Sequence, residues 1–137
     1  MNAVIYASKG GNTKKIADAI ASALGVSACS VKEVGTIDKP IDLLFVGASI
    51  YAGGIDGKLK KFLTGLTSDT VKRVVVFGTA YTDKSAREQI ATLLEPAGIE
   101  IADGFFQCKG SFLVMNQGLP NAEDLKDAAE FARQAAG

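Results

Sequence analysis

Short apolar runs alternate along the chain with longer segments in which apolar residues recur every three or four positions. Three runs, Ala3 to Ala7, Ile41 to Ala48 and Val74 to Phe77, are nearly continuous in hydrophobic residues, which is typical of parallel strands buried on both faces. Val26 to Val31 alternates apolar and small polar residues, which favours an edge strand, and Ile99 to Phe112 is also strand-like. The pattern therefore predicts five strands.

The segments between the strands have helical spacing. The first predicted helix covers Thr13 to Leu24, with apolar residues at i, i+4 and i+8 (Ile16, Ile20 and Leu24). Gly25 follows it and supplies a stop. Two further helices are marked by Ile55, Leu59, Phe62, Leu63 and Leu66, and by Ala86, Ile90, Leu93 and Leu94.

Proline, glycine and asparagine mark the remaining helix ends. Pro96 and Gly98 terminate the third helix. Asn121 is a predicted N-cap of the last helix, and Glu123 and Asp124 suit the positive helix end that follows it. From there the helical pattern continues to the carboxyl terminus.

Strands that alternate with helices predict an α/β fold, a doubly wound parallel sheet with right-handed crossovers and helices on both faces. No repeat or linker interrupts the series, so residues 1–137 are interpreted as one domain. Ligands of such sheets bind beyond the carboxyl ends of the strands, at the switch point in strand order. The loops that follow the strands are therefore the candidate site.

Composition narrows the class of protein. Apolar residues make up 47% and charged residues 22% of the 137 residues, which excludes general disorder. The longest apolar run falls far short of the roughly 20 residues that cross a bilayer, and the amino terminus has no basic leader, so we expect a cytoplasmic protein. Fifteen basic and fifteen acidic residues cancel, so we expect neither nucleic acid nor membrane as a partner.

The chain has no histidine and two cysteines without metal-ligand spacing. A zinc site and the Ser-His and Cys-His nucleophile pairs are thereby disfavoured. We expect Cys29 and Cys108 to be small buried thiols. Any chemistry would then come from a bound cofactor.

The first candidate loop reads Ser8-Lys9-Gly10-Gly11-Asn12-Thr13. Its glycines allow close approach of backbone to a ligand, successive amides can form an anion nest, and hydroxyl groups stand at a helix amino end. A phosphate monoester fits this chemistry, although neither GxxxxGK[ST] nor GxGxxG is present. The alternative is a plain glycine-bearing turn with Asn12 or Thr13 as N-cap.

Two further loops combine an aromatic residue with small residues. They read Ser49-Ile50-Tyr51-Ala52-Gly53-Gly54 and Thr79-Ala80-Tyr81-Thr82-Asp83. Such loops suit the edge and face of a flat ring. Each tyrosine alone is explained by loop packing, but the presence of all three candidate loops at corresponding strand ends favours one shared ligand site.

These motifs resemble the flavodoxin family, and the resemblance covers essentially the whole chain. The segment 6–13 is similar to the family's phosphate loop, the segment 47–53 to the loop whose aromatic residue stacks on the flavin, and the segment 77–81 to the start of the third loop. The resemblance implies a flavodoxin-like sheet of order 2-1-3-4-5 and one flavin mononucleotide (FMN). It assigns the FMN phosphate to Ser8 through Thr13 and the stacking role to Tyr51.

The chain departs from the family pattern in three respects. Gly10 stands where the family usually has a hydroxyl residue, and Lys9 adds a cation to the phosphate loop. Tyr81 comes earlier than the family's second stacking tyrosine. Where flavodoxins are acidic around the flavin, lysines are expected at the same end here: Lys9, Lys14, Lys15, Lys58, Lys60 and Lys61. These lysines also fit a solvated helix face.

The resemblance implies an electron carrier, expected as a monomer, that shuttles electrons between a reductase and an acceptor protein. One alternative is a small FMN oxidoreductase that acts directly on a quinone or another small substrate. Another is a binding module of the same fold that has lost its flavin. A phosphorylated receiver domain is disfavoured, because Ala7-Ser8 and Ala48-Ser49 stand where its acidic residues would be needed.

Overall fold

The computed structural model describes residues 1–8, 11–35, 37, 39–50, 55–80, 86–109, 118 and 120–137. The strands are β1 (Asn2–Tyr6), β2 (Ala28–Ser30), β3 (Ile41–Ile50), β4 (Val71–Ala80) and β5 (Glu100–Lys109). The α-helices are α1 (Asn12–Leu24), α2 (Gly57–Thr64), α3 (Arg87–Leu94) and α4 (Ala122–Ala136), and a 3₁₀ turn at Glu95–Ala97 follows α3. The predicted succession of elements is confirmed.

All five strands are parallel and lie in the order β2-β1-β3-β4-β5. β2, which follows β1 in the chain, lies on one side of β1, and β3 lies on its other side. The switch point lies between β1 and β3, and ligand sites of this architecture lie beyond the carboxyl ends of such neighbouring strands. The predicted doubly wound sheet of order 2-1-3-4-5 is confirmed.

Helices cover both faces of the sheet. Because side chains alternate between the two faces along each strand, the strands contribute buried residues to two cores, one on each face. One core contains buried residues of α1 and α4 packed on the sheet: Val4, Ile16, Ile20, Phe45, Val75, Phe77, Ala128 and Ala132. The other contains buried residues of α2 and α3: Ile5, Leu44, Val46, Leu59, Leu63, Val74, Ile90 and Leu94. The helical stripes predicted from sequence are these buried faces.

Most of the predicted strand ends differ from the observed ones by one to three residues, and two differences are informative. The predicted strand Val26–Val31 is shortened to β2, which lies at the sheet edge as expected. β4 begins before the predicted Val74, because charged Lys72 and Arg73 interrupt the apolar run but still belong to the strand. Residues 110–112, the end of the last predicted strand, lie outside the described residues.

The predicted helix stops are confirmed by backbone conformation. Gly25 ends α1 with φ of 72°, and Gly98 ends the 3₁₀ turn with φ of 69°, a left-handed conformation that glycine adopts without a Cβ penalty. Asn121 caps α4, and its side chain accepts from the Asp124 N–H while the Asp124 carboxylate accepts from the Asn121 N–H. This capping box confirms the predicted start of the last helix.

The prediction that both cysteines are buried is wrong. Cys29 and Cys108 are free thiols of intermediate exposure, because they lie on β2 and β5, the two edge strands. Burial is still sufficient to raise the pKa of both thiols. Within the described ranges, no cluster of His, Cys, Asp or Glu could hold a metal ion, and no described helix combines the length and apolar character needed to span a bilayer.

Candidate functional site

The three loops predicted to form the site start at one edge of the sheet. The register pairs Tyr6 at the end of β1 with Gly47 of β3, and Ser49 near the end of β3 with Thr79 of β4. β1, β3 and β4 are consecutive in the sheet. The carboxyl ends of these strands, and the loops that leave them, are therefore neighbours.

Three hydroxyl side chains meet at this edge, and we call Thr13, Ser49 and Thr79 the hydroxyl cluster. The Thr13 hydroxyl forms a hydrogen bond with the Ser49 hydroxyl and another, of 2.8 Å, with the Thr79 hydroxyl. The Ser49 and Thr79 oxygens are 3.3 Å apart. All three residues are buried, so the start of α1 is joined directly to the ends of β3 and β4.

Buried polar residues are confined to this edge in the part of the chain that the structure describes. They are the three members of the hydroxyl cluster and Asn12. Elsewhere the buried residues of the described segments are hydrophobic. Because buried polar groups require hydrogen-bond partners, their concentration at the carboxyl edge distinguishes this edge from the rest of the described interior.

Glycines bring the elements of the hydroxyl cluster close together. A Cβ added to Gly78 would lie 2.2 Å from the Ala48 carbonyl oxygen, and a Cβ added to Gly47 would lie 2.4 Å from the Phe77 ring and 3.1 Å from the Thr13 methyl group. A side chain at Gly78 would push β3 and β4 apart, and a side chain at Gly47 would collide with the Phe77 ring and press on α1. Because both residues lack a side chain, β3, β4 and α1 approach closely enough for the neighbouring hydroxyls to form hydrogen bonds.

The amino end of α1 has the features of a potential anion site. Its N-cap is Gly11, with φ of 87°, a residue that has no side chain with which to cap the helix. This corrects the alternative in which Asn12 or Thr13 is the N-cap, since both lie inside the first turn. The Ser8 hydroxyl accepts from the Gly11 N–H at 3.0 Å. No acidic residue stands in the first turn of α1, so its positive end is not neutralised by one.

A small cavity of about 50 Å³ opens at the switch point. Its walls come from the ends of β1 and β3 (Ala7, Ser8 and Ser49), from the end of β2 and the turn after it (Ser30, Val31 and Lys32), and from Asp56 before α2. This volume suits a small anion or one or two waters. The Asp56 carboxylate accepts from the N–H groups of Lys58 and Leu59 and so caps α2.

The structure brings the described members of the predicted site together. Ser8, Gly11, Asn12, Thr13, Ser49 and Thr79 lie at the carboxyl edge, and the backbones of Ile50 and Ala80 are paired there. Lys9, Gly10, Tyr51, Ala52, Gly53, Gly54, Tyr81 and Asp83 lie outside the described residues. Their cofactor-binding roles, including the stacking role of Tyr51, stay predictions.

Sequence reasoning missed the mutual contact of the hydroxyl cluster. It treated the Thr13 hydroxyl as a donor to a ligand, whereas the structure bonds it to Ser49 and Thr79. A usable signal was present, since Gly47-Ala48-Ser49 and Gly78-Thr79 place a hydroxyl residue after a glycine at the ends of adjacent strands. Sequence reasoning also missed Asp56 and the segment after β2, which have no motif of their own.

Two of the predicted lysine positions differ in their surroundings. Lys14 forms an ion pair of 2.9 Å with Asp18 on the exposed face of α1, and this hydrogen bond raises the pKa of the lysine. Lys58 is exposed at the other face of the sheet, in the first turn of α2. Lys15 on α1 and Lys58, Lys60 and Lys61 on α2 are exposed and form no ion pair with a described carboxylate.

A doubly wound parallel sheet with a glycine-capped helix and buried hydroxyls at its switch point defines a flavodoxin-like α/β protein. The family model described as a flavodoxin domain matches residues 3–110. The chain belongs to the flavodoxin family.

Individual relatives agree with this assignment. An uncharacterized protein of Methanocaldococcus jannaschii is 33% identical over 134 residues, which cover 89% of this chain and 88% of the relative. A flavodoxin from the domain Archaea superposes with a TM-score of 0.81 at 22% identity and covers 99% of this chain and 96% of its own. Flavodoxin 2 from Bacillus cereus superposes with a TM-score of 0.72 at 20% identity, covering 98% and 97%. The two solved structures share the fold of this chain.

Proposed function

We propose that this protein binds one FMN at the carboxyl edge of the sheet and carries electrons between redox partner proteins. The observation that supports the proposal is the confinement of all buried polar residues of the described segments to the switch point. In a doubly wound sheet this is the place where a ligand binds. Membership of the flavodoxin family makes FMN the ligand to test first.

The amino end of α1 fits the phosphate group of FMN. After the left-handed Gly11, the first turn of α1 places backbone N–H groups at the positive end of a helix. The Ser8 hydroxyl, 3.0 Å from the Gly11 nitrogen, adds a polar group at the same point. Ser8, Gly11, Asn12 and Thr13, together with Lys9 and Gly10, would hold the phosphate.

The ring of FMN would lie between the second and third loops. Tyr51 would stack on one face, with Ser49, Ile50 and the segment 52–54 at the ring edge. Thr79, Ala80, Tyr81 and Asp83 would approach from the third loop. When bound, FMN supplies the redox chemistry, and the protein supplies binding and orientation.

The hydroxyl cluster would position these loops relative to one another. Thr13 belongs to the phosphate-binding turn, whereas Ser49 and Thr79 precede the loops assigned to the ring. Their mutual hydrogen bonds are buried and therefore shielded from competing water. The distance between the phosphate subsite and the ring subsite would be fixed by this contact.

Titration of the purified protein with FMN tests the proposal. We expect quenching of flavin fluorescence at equimolar saturation, and binding of riboflavin, which lacks the phosphate, weaker by at least about tenfold, because charge-assisted hydrogen bonds contribute strongly. Gly11→Ala should weaken FMN binding. Gly25→Ala is the matched control, because it places the same residue at a similar positive φ at the other end of α1.

Two results would reject the proposal: unquenched fluorescence at saturating FMN, or equal loss of FMN affinity in Gly11→Ala and Gly25→Ala. The role as a carrier is tested separately. The FMN-loaded protein should not turn over NADH with a quinone at a steady rate unless a partner protein is added. Steady turnover by the isolated protein would instead support the alternative, an FMN oxidoreductase with its own small substrate.

A further inference from the structure

An open groove of about 620 Å³ lies between α2 and the segment that follows β2. It begins near the carboxyl edge of the sheet, where the Val31 N–H donates to the Tyr6 carbonyl at the end of β1. It extends along α2 to Thr70, which directly precedes β4 at the opposite edge. The groove therefore leads away from the candidate FMN site along one face of the molecule.

The floor of the groove is apolar and incompletely covered. Val31, Val34, Ile37 and Phe62 pack against the buried core but remain partly accessible. Leu66, which is buried, completes the floor. Single exposed apolar residues are ordinary, whereas a contiguous partly exposed set in a groove marks an interaction surface.

The polar lining of the groove is positively charged. Lys32, Lys58 and Lys61 are exposed and line it, and no acidic residue is among its described lining residues. None of the three forms an ion pair within the described part of the chain. Because the whole chain is neutral, the groove is a local positive patch, and the compensating negative charge lies elsewhere on the molecule.

The groove is continuous with the candidate site. Val31 and Lys32 line both the groove and the small cavity that also contains Ser8 and Ser49. A molecule seated in the groove would therefore lie against the same edge of the sheet as the bound FMN. This contact between a docking surface and a redox site is what a partner in electron transfer requires.

We propose that this groove docks an acidic redox partner protein, which inserts an apolar side chain over the floor and places carboxylates beside the three lysines. The proposal rests on the proposed function as an electron carrier. Charge complementarity selects the partner, since such complementarity speeds encounter and excludes partners of like charge. A nucleic acid is disfavoured because the floor is aliphatic apart from Phe62 and so lacks a stacking platform.

The first test compares an acidic with a basic haem protein as the probe. The soluble domain of cytochrome b5, which is acidic, should perturb the ¹H–¹⁵N resonances of the groove residues of the FMN-loaded protein. Its affinity should fall as salt is added, because exposed charges are screened. Horse-heart cytochrome c, which is basic, should leave the groove unperturbed. Groove shifts with cytochrome c but not with cytochrome b5 would overturn the proposal.

Two double charge reversals distinguish the effect of the groove lysines on binding from the effect of net charge. Lys58→Glu with Lys61→Glu should weaken cytochrome b5 binding at low salt by at least about tenfold. Lys60→Glu with Lys126→Glu makes the same change in net charge at exposed positions that do not line the groove, and should weaken it by less than about threefold. Equal losses in the two double variants would overturn the proposal.

The apolar floor is tested with a matched pair of valines. Val34→Ser should reduce the affinity for cytochrome b5, whereas Val26→Ser, also at a partly exposed valine but outside the groove, should leave it unchanged. Equal affinities would overturn the insertion of an apolar side chain. Groove shifts induced by decanoate but absent with cytochrome b5 would assign the groove to a small anionic ligand and overturn the proposal.

Failure of the docking proposal is distinguishable from failure of the proposed function. FMN affinity is measured for every variant, and the charge variants should retain it because the four substituted lysines are exposed and are not among the predicted FMN-binding residues. A protein that binds FMN normally but ignores cytochrome b5 rejects only the docking surface. A protein that does not bind FMN rejects the proposed function and with it the redox role of the partner.

Discussion

The hydroxyl oxygens of Thr13 and Thr79 lie 2.8 Å apart, although 66 residues separate them along the chain. Thr13 is fully buried, and Thr79 is 3% exposed. The contact fastens the first turn of α1 to the end of β4 across the switch point, and Ser49 of β3 completes it.

Thr13→Val should destabilise the fold by about 1–3 kcal/mol, because it keeps the shape of the side chain but removes a hydroxyl with two buried partners. The free energy of unfolding is measured in urea. Thr13→Ser should retain more stability than Thr13→Val, since it keeps the hydroxyl. Thr64→Val, which removes an exposed hydroxyl bonded to the Lys61 carbonyl, should change stability by less than about 0.5 kcal/mol.

Gly78→Ala should destabilise the protein by about 1–3 kcal/mol, or more if the strands cannot separate. The added methyl would lie 2.2 Å from the Ala48 carbonyl oxygen, which belongs to the adjacent strand and cannot rotate away. Gly104→Ala on β5 is the control, because its methyl would meet only the Phe131 ring at 3.7 Å. Equal urea midpoints for the two variants would contradict the close approach of β3 and β4.

Asn121→Ala should lower the stability by about 1 kcal/mol, because it removes the side-chain half of the capping box at the start of α4. Asn121→Asp should retain most of the stability, since aspartate also accepts from the Asp124 N–H, although the two carboxylates repel. Thermal unfolding followed by circular dichroism measures both variants. A melting temperature of Asn121→Ala equal to that of the unaltered protein would show that the capping box is dispensable.

Cys108 should react with iodoacetamide more slowly than Cys29. Burial, with a smaller contribution from Asp124, raises the pKa of the Cys108 thiol to about 12, so at pH 8 only about 1 in 10,000 molecules carries the thiolate that reacts. Burial, with a contribution from Glu33, also raises the pKa of the Cys29 thiol. Peptide mass spectrometry gives the two rates, and in guanidinium chloride they should become equal.

The same shift makes stability depend on pH. The pKa of Cys108 is higher in the folded protein than in the unfolded chain, so the folded state favours the neutral thiol. The resulting stabilisation is complete below about pH 8.5, the ordinary thiol pKa, and is lost as the pH rises toward the folded value. Cys108→Ala should reduce this alkaline loss of stability, as measured by urea unfolding between neutral and alkaline pH.

The sequence was sufficient to predict the elements and their layering. Nearly continuous apolar runs such as Ile41 to Ala48 are typical of buried strands, and the spacing of Ile16, Ile20 and Leu24 predicts a helix. Boundaries were less predictable. Lys72 and Arg73 have charged side chains that favour a loop, but Arg73 lies in β4 and pairs with Glu100 of β5 at 2.7 Å, which local pattern alone does not reveal.

The position of the candidate site could be predicted from the sequence, but the contacts between its side chains could not. The glycines and hydroxyls of the first loop pointed to an anion, and parallel topology brought the three loops to one edge. The hydrogen bond between Thr13 and Thr79 depends on how closely β3 and β4 approach. This close approach is possible because Gly78 has no side chain. Side-chain geometry of this kind follows from tertiary packing and has no signature in periodicity.

The position of β1 between β2 and β3 has a consequence for synthesis of the protein on the ribosome. β1 is made first but gains its β3 neighbour only after residue 41 has emerged, and Thr79 emerges later still. A nascent chain that ends before Thr79 lacks at least one of the two hydroxyl partners of Thr13. Since non-local strand pairing also slows folding, we expect the carboxyl edge that contains the hydroxyl cluster to be completed late, after the first helix and strand have already been translated.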